Sequence, residues 1–305
     1  MLYQNKSTMK KTITVLGASG KIGSKIAGIL LKEGHHVKLV ARTADNLKKF
    51  SDMGAEVIPG DITDVAVVTK AFKNADSAFV LLPPNFTASS YREFQRKVGD
   101  TIIDAIQKSG IKYIVNLSSY GAHMHEDNGL IAGLAEQEVK LNQLKDVNVL
   151  HLRPAYFMDN ALLNLKLIKE LGINGTTADP DYEIPMVATK DIALIAAGYL
   201  SGQDFAGKSV LPISGDRNYS FKEFTGIIGN SIGKPDLQYV QFPVDQAKRA
   251  MIDMGLSIDI ANDITDMEAA LKNGIMNYEK RASGNLSPTP ANVFAKEVFA
   301  PIPFT

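Results

Sequence analysis

The sequence predicts an α/β protein: a doubly wound parallel sheet with a smaller, partly helical C-terminal lobe. Three observations carry this expectation. Residues 12–16 form a β-branched run that passes through three spaced glycines into an amphipathic stretch, and then into a second apolar run at 37–41. Further apolar runs at 55–59, 77–82, 112–117 and 147–152 alternate with stretches of helical period. These runs are largely apolar, and 77–82, SAFVLL, is continuously so, as suits strands covered on both faces of a parallel sheet. Beyond residue 154 the alternation loosens, which marks the second lobe.

Each element follows from its local pattern. Gly17, Gly20 and Gly23 are spaced G-x-x-G-x-x-G, and Ile22, Ile26, Ile29 and Leu30 then recur at helical spacing. Residues 45–53 and 65–72 read as short helices. Residues 90–109 read as a long one, with Val98, Ile102, Ala105 and Ile106 on one face. Residues 130–145 are helical. Residues 161–171 read as a helix, Asn174-Gly175 as a turn, and 182–187 as a strand interrupted by Pro185. Thr189 is placed to cap a helix over 190–200, and a strand follows at 209–213. Ser220, with Glu223 three residues on, forms a capping box for a helix running to Ile232. A strand at 238–242 and helices at 244–254 and 258–273 follow. The proline-rich tail from residue 283 is expected to wind over the surface, and the first ten residues to be a loose leader. The expected division is a dinucleotide-binding domain over 10–158, rejoined by 188–213, and a substrate lobe from 159–187 and 214–305.

Composition narrows the function. Lys plus Arg equals Asp plus Glu at 33 each, which gives nucleic acid no electrostatic support as a partner. There is no cysteine, so disulfides, thiolate metal sites and cysteine nucleophiles are excluded. No apolar stretch approaches a membrane span, and the first residues lack the apolar core of a signal peptide. The expectation is a soluble, cytoplasmic protein with a small-molecule substrate. A homo-oligomer or a regulatory protein partner stays open.

The glycine turn points to a dinucleotide. It follows a strand and opens a helix inside a β-α-β unit of about thirty residues, the context that gives such a motif meaning. Gly17 and Gly20 allow a tight turn and close approach of a ligand, and Gly23 lets the helix pack closely. The N–H groups at the helix start, with Lys21, Ile22 and Ser19 around them, suit a pyrophosphate. Arg42 stands just past the second strand, where an acidic residue would select NAD. An arginine there pairs instead with a 2′-phosphate, so NADP(H) is expected and NAD(H) is the weaker alternative. Asp61, with Ile62 beside it, ends the third strand and is expected near the adenine; it is also placed to start the next helix. Leu82 and Pro83 end the fourth strand over the ribose path. Ser118 and Pro154 end the fifth and sixth and should converge on the nicotinamide.

Catalytic candidates are fewer. Tyr120 and His123 lie in the loop after the fifth strand and could donate a proton or hydrogen bond; Tyr120 could also contact substrate. Phe157 and Asn160 could line the cleft. His123, His125, Glu126 and Asp127 are ligand-type residues, but lack the further ligands and geometry of a metal site, so no metal is expected. His151 reads as structural, and His35 and His36 as turn residues. No tyrosine has a lysine four residues later.

The segment GASGKIG resembles the short-chain dehydrogenase/reductase superfamily. The ordered set resembles its NmrA-like atypical members more specifically: GASGKIG, Val40-Ala41-Arg42, Gly60-Asp61-Ile62-Thr63-Asp64, NLSSYGA, RPAYFMDN at 153–160, Lys190-Asp191-Ile192-Ala193 and ISGDRNYSFKEF from 213. Within that group the likeness is to the NADPH:quinone oxidoreductase type. The resemblance implies a Rossmann domain, a smaller C-terminal lobe and a substrate cleft between them. The missing Tyr-x-x-x-Lys pair departs from the wider superfamily and argues against simple alcohol oxidation and against sugar-nucleotide epimerase chemistry. A quinone needs positioning more than a strong general acid. The expected function is an NADPH-dependent oxidoreductase acting on a quinone-like or conjugated carbonyl acceptor. The alternative is a non-catalytic NADP(H)-sensing regulatory protein.

Overall fold

A computed structural model of the chain describes residues 9–124, 129–272 and 287–304. The strands are β1 (Thr12–Val15), β2 (His36–Ala41), β3 (Glu56–Pro59), β4 (Ser77–Val80), β5 (Tyr113–Leu117), β6 (Asn148–Pro154), β7 (Tyr156–Phe157), β8 (Ile173–Thr176), β9 (Glu183–Val187), β10 (Lys208–Ile213), β11 (Asn218–Ser220) and β12 (Gln238–Gln241). The helices are α1 (Gly23–Lys32), α2 (Lys48–Asp52), α3 (Val65–Phe72), α4 (Tyr91–Ser109), α5 (Ala132–Asn142), α6 (Leu165–Glu170), α7 (Thr189–Gly202), α8 (Phe221–Ser231), α9 (Val244–Asp253), α10 (Ile258–Lys272) and α11 (Ala291–Val298).

Seven strands form one parallel sheet in the order β10-β6-β5-β4-β1-β2-β3. The chain runs outward from β1 through β2 to β3, then returns to β4 on β1's other side. That reversal leaves a crevice beyond the carboxyl ends of β1 and β4. Successive side chains on a strand serve opposite cores. Ile13, Val15, Phe79 and Val115 pack with α1 and α7, whereas Ala78, Val80 and Ile114 pack with α3, α4 and α5. Polar side chains inside this sandwich find helix carbonyls. Thr14 donates to Ala71 at 2.6 Å, and Ser77 donates to Leu200 at 2.8 Å. Each satisfies a hydroxyl that would otherwise be costly to bury.

The second lobe corrects several expectations. Gly175 belongs to β8, not to a turn, and pairs in parallel with Val240 of β12. A Cβ there would lie 2.1 Å from the Val240 carbonyl oxygen, so the glycine serves close strand approach. Residues 158–164 are a 3-10 helix, and α-helical geometry begins only at Leu165. Tyr156–Phe157 is a short strand that joins β9 and β11 in a three-stranded sheet. The tail does not only wind over the surface: α11 buries Ala291, Phe294 and Ala295, and Phe299 follows it into the core. Thr189 is the first residue of α7 rather than its cap. The capping expected at α8 is present, with Ser220 Oγ accepting from Glu223 N at 3.1 Å. His35 is buried and accepts from Lys11 N at 3.2 Å, while His36 opens β2.

No helix among the described residues is long and apolar enough to cross a membrane.

Candidate functional site

All seven strands of the main sheet point the same way, so every strand end singled out from sequence lies along one edge. Gly17 follows β1 with a left-handed φ of 68°, and a Cβ there would meet the Leu81 side chain at 2.7 Å. Gly17 and Leu81 therefore face each other across the crevice between β1 and β4. Gly20 N donates to Gly17 O at 2.9 Å and closes the turn. A Cβ on Gly23 would lie 2.3 Å from Gly17 O, so the first residue of α1 sits directly against the turn it leaves. The α1 N-cap is Ile22, whose side chain makes no capping hydrogen bond. Ile22 thus places no side-chain oxygen over the helix start, while Ser24 N donates to Gly20 O at 3.1 Å and Lys25 N to Ile22 O at 3.0 Å. Ser19, Gly20 and Lys21 are exposed on the rim, and Ile22 packs inward.

Lysines tie this turn to the second lobe. Lys21 Nζ donates to the Asp159 carbonyl at 3.1 Å. Lys25, which sequence reasoning passed over, donates to Lys21 O at 2.9 Å and to Thr189 Oγ1 at 3.2 Å. Burial lowers the Lys25 pKa, with Asp159 opposing that shift. The Asp159 carboxylate, itself buried, accepts from Thr189 N at 2.9 Å and Thr189 Oγ1 at 2.6 Å. It supplies from a distance the cap that α7 lacks locally.

At the far end of the edge, Arg42 is exposed just past β2. Asp61 is exposed past β3 and accepts from Thr63 N at 2.8 Å. That bond holds its carboxyl below the ordinary range, and the charges of Arg42 and Lys97 add to it. The helix cap is Asp64, which accepts from Ala66 N at 2.8 Å, so Asp61 is left as a turn residue beside Arg42. Ile62 is half-buried beside it. Leu82 is buried and Pro83 half-buried at the end of β4.

The ends of β5 and β6 carry a buried polar network. Arg153 grips Glu138 with two bonds, Nε to Oε1 at 2.9 Å and Nη2 to Oε2 at 2.7 Å. Ser118 Oγ donates to the same carboxylate at 2.5 Å. Burial pushes the Glu138 pKa up, but Arg153 and Ser118 outweigh it and hold the group ionised. The Ser118 hydroxyl therefore faces Glu138. Behind it, Asn116 Nδ2 donates to His151 Nδ1 at 3.1 Å, and His151 Nε2 donates to Asn142 Oδ1 at 3.0 Å. These partners suit a neutral imidazole. Burial pushes its pKa down to about 4, consistent with the structural reading of His151.

The catalytic candidates are placed less openly. Tyr120 is 1% exposed and packs into the larger core, with its N–H on Pro154 O at 3.0 Å. Its ring belongs to the wall behind the edge. His123 is half-buried in the following turn, and His125, Glu126 and Asp127 lie outside the described residues. Among the described residues, no group of three or more His, Asp or Glu side chains could hold a metal ion. Phe157 is half-buried and packs against the larger core. Asn160 lies near Tyr156 and opposes the rise of its pKa, which burial causes and the nearby Glu268 adds to.

That last contact leads to a feature no local motif announced. Glu268 on α10 is buried, and its Oε2 accepts from Thr177 N at 2.9 Å and from Thr177 Oγ1. Burial raises its pKa against these bonds. It lines a cavity of about 390 Å³ whose other walls include Gln241, Phe242, Val244 and Thr265. The pairing of β8 with β12 brings residues 177 and 241 together, and α10 lays Glu268 against them.

The model of the NmrA-like family matches residues 9–296. The chain belongs to the NmrA-like family. An NAD(P)H azoreductase of Xenophilus azovorans is 23% identical, over 93% of this chain and 96% of the relative. A crystal structure of an Escherichia coli NADPH-dependent quinone oxidoreductase with NADPH superposes with a TM-score of 0.78 at 20% identity, covering 94% of this chain and 99% of that one. NmrA itself, a negative transcriptional regulator solved with NAD, superposes at 0.65 with 15% identity, each chain covered to 95%.

Several residues of the family-like segments now have physical roles. Arg153 of RPAYFMDN is the partner of Glu138, and Asp159 of the same segment caps α7. Asp191 of the Lys190–Ala193 segment is buried and accepts from Thr289 N at 3.1 Å, Thr289 Oγ1 at 2.9 Å and Ser287 Oγ, which pins the tail to α7.

Proposed function

We propose that this protein is an NADPH-dependent oxidoreductase that transfers hydride to a quinone-like or conjugated carbonyl acceptor without a Tyr-x-x-x-Lys pair. The observation that carries the reading is the uncapped start of α1 at the β1/β4 crevice, with cationic Arg42 at the end of β2 on the same edge. An NAD(P)H azoreductase and an NADPH-dependent quinone oxidoreductase among its relatives support it.

In this reading, Gly17, Ser19, Gly20, Lys21, Ile22 and Gly23 take the pyrophosphate, and Arg42 pairs with the 2′-phosphate. Asp61 and Ile62 border the adenine, and Leu82 and Pro83 border the ribose. Ser118 and Pro154 back the nicotinamide, with Ser118 acting through its backbone carbonyl because its hydroxyl is committed to Glu138 and its N–H to Leu152 O. A bound NADPH would supply the hydride; the protein orients the acceptor against it. Phe157 and Asn160 are assigned to the acceptor side of the cleft, with Tyr120 and His123 on the wall and rim behind it. Orientation alone removes a large entropic part of a bimolecular barrier. A quinone accepts hydride as a stabilised anion, so water can supply the proton. The cysteine-free chain suits the reducing cytoplasm, where we place it.

Steady-state oxidation of NADPH and NADH against a panel of quinones tests the reading. Turnover with NADPH, much slower with NADH, is expected. Tight binding of both redox forms without turnover would instead favour an NADP(H)-sensing regulator, the reading to which the likeness with NmrA belongs.

A further inference from the structure

The cavity around Glu268 has no place in the cofactor site, yet it lies beside it. It opens at the carboxyl ends of β8 and β12, whose next residues, Thr177 and Phe242, form part of its wall. Helix α10 lies across it and also reaches the loops that follow β4 and β5. Tyr91 N donates to Asp259 Oδ2 at 2.6 Å, the residue before α10, Ser257, donates its N–H to Phe86 O at 2.9 Å, and Gly129 sits against the Asp263 backbone. Glu268 also lies close enough to Tyr156 to raise its pKa, and Tyr156 comes two residues after Pro154 at the end of β6. One helix thus joins this cavity to the edge on which β4, β5 and β6 end.

The lining has two characters. Phe242, Pro243 and Val244 offer an apolar surface suited to a flat ring system. Gln241, Thr265 and Glu268 offer polar groups. Among the described residues, no lysine, arginine or histidine pairs with Glu268; its hydrogen bonds come from Thr177 N and Oγ1, and the nearby Thr176 hydroxyl also favours its ionised form. The titratable groups facing it are the phenols of Tyr156 and Tyr239, neither of which supplies a positive charge. A buried carboxylate without a cation repels a ligand anion strongly, because little water intervenes to screen it.

We propose that this cavity is the acceptor pocket, and that Glu268 makes it selective for uncharged or cationic aromatic acceptors over anionic ones. The proposal rests on the reductase reading for its use in turnover, but not for binding. Glu268 is a specificity-determining residue here, not a proton donor, and no bond is made or broken at it.

Two naphthoquinones that differ by one sulfonate, menadione and a sulfonated analogue, test this at about pH 9, because burial raises the Glu268 carboxyl above the ordinary carboxylate range and only the ionised group repels; the same pair read at about pH 6 should show a smaller ratio. Equilibrium binding to the protein loaded with NADP⁺ and kcat/KM with NADPH are both read. The wild type is expected to favour the uncharged quinone by about tenfold or more, mostly in Kd and KM, since one like-charge contact of about 1.4 kcal/mol gives that ratio. Glu268→Gln keeps the shape and should bring the ratio close to one, with NADPH affinity unchanged. Gln241→Glu adds a carboxylate to the same wall at an exposed position and should widen the ratio, which guards against a misfolded Glu268→Gln variant. Equal binding of both quinones by the wild type, or a ratio unmoved in both variants, would overturn the proposal. Selective binding without NADPH oxidation would uphold the pocket and sink only the reductase reading.

Discussion

Arg42 and Asp61 show how a residue's position decides its chemistry. An exposed arginine next to a carboxylate would ordinarily contribute little, because water screens the pair. In the proposed reading Arg42 meets the adenosine end of the dinucleotide, so its charge has a second claimant. Arg42→Ala is expected to weaken NADPH binding by about 2 kcal/mol, the value of a charge-assisted hydrogen bond, and to leave NADH binding nearly unchanged. Titration with both cofactors checks this; equal losses would remove the role. His151 makes a pH prediction. Its folded pKa of about 4 lies below the ordinary 6.5, so the unfolded chain binds more protons between those values. Stability from this group is full above about pH 6.5 and is lost as pH falls toward 4, by about 3 kcal/mol over the window. Urea midpoints across that range should fall steadily, and a His151→Gln variant should flatten the fall.

Elements were legible where their signal is local. Largely apolar runs placed every strand of the main sheet, and the glycine spacing placed the turn. Ser220 was recognisable as a cap because a capping box occupies four consecutive residues. What escaped was contact at a distance. Asn174-Gly175 has the composition of a turn, and only the approach of β12 makes it a strand. Residues 291–299 carry a helical apolar face, but the prolines around them dominate the local pattern, and their anchor, Asp191, lies about a hundred positions earlier. Glu268 could not be singled out from other acidic residues on a helix until the folded chain laid α10 against Thr177. The same logic yields two tests. Gly23→Ala would force a Cβ into the Gly17 carbonyl, and it should cost about 2 kcal/mol of stability and abolish cofactor binding. Asp191→Ala leaves buried Ser287 and Thr289 without their acceptor and should cost about 2–3 kcal/mol. Limited proteolysis should then release the tail before the main sheet unfolds. A tail that stays resistant would show that α11 packing suffices alone.

At the scale of the molecule, one parallel sheet gathers the glycine turn, the cationic strand end and the buried Glu138–Arg153 pair along a single edge. The segment from 155 to 191 ties that edge to the second lobe. Asp159 reaches both α7 and, through its backbone, Lys21 of the turn. Breaking Glu138–Arg153 by Arg153→Met would leave a buried carboxylate unpaired, at a cost of about 3–5 kcal/mol. Denaturation of this variant should therefore show losses far larger than those of any exposed ion pair. The central claim is that this edge delivers hydride to a bound acceptor rather than only holding the cofactor. Single-turnover mixing tests it most directly: protein loaded with one equivalent of NADPH is mixed with excess menadione, and dihydronicotinamide absorbance is followed. The account predicts complete oxidation of the bound NADPH, faster than the same reaction without protein. NADPH that stays bound and reduced at the uncatalysed rate would contradict it.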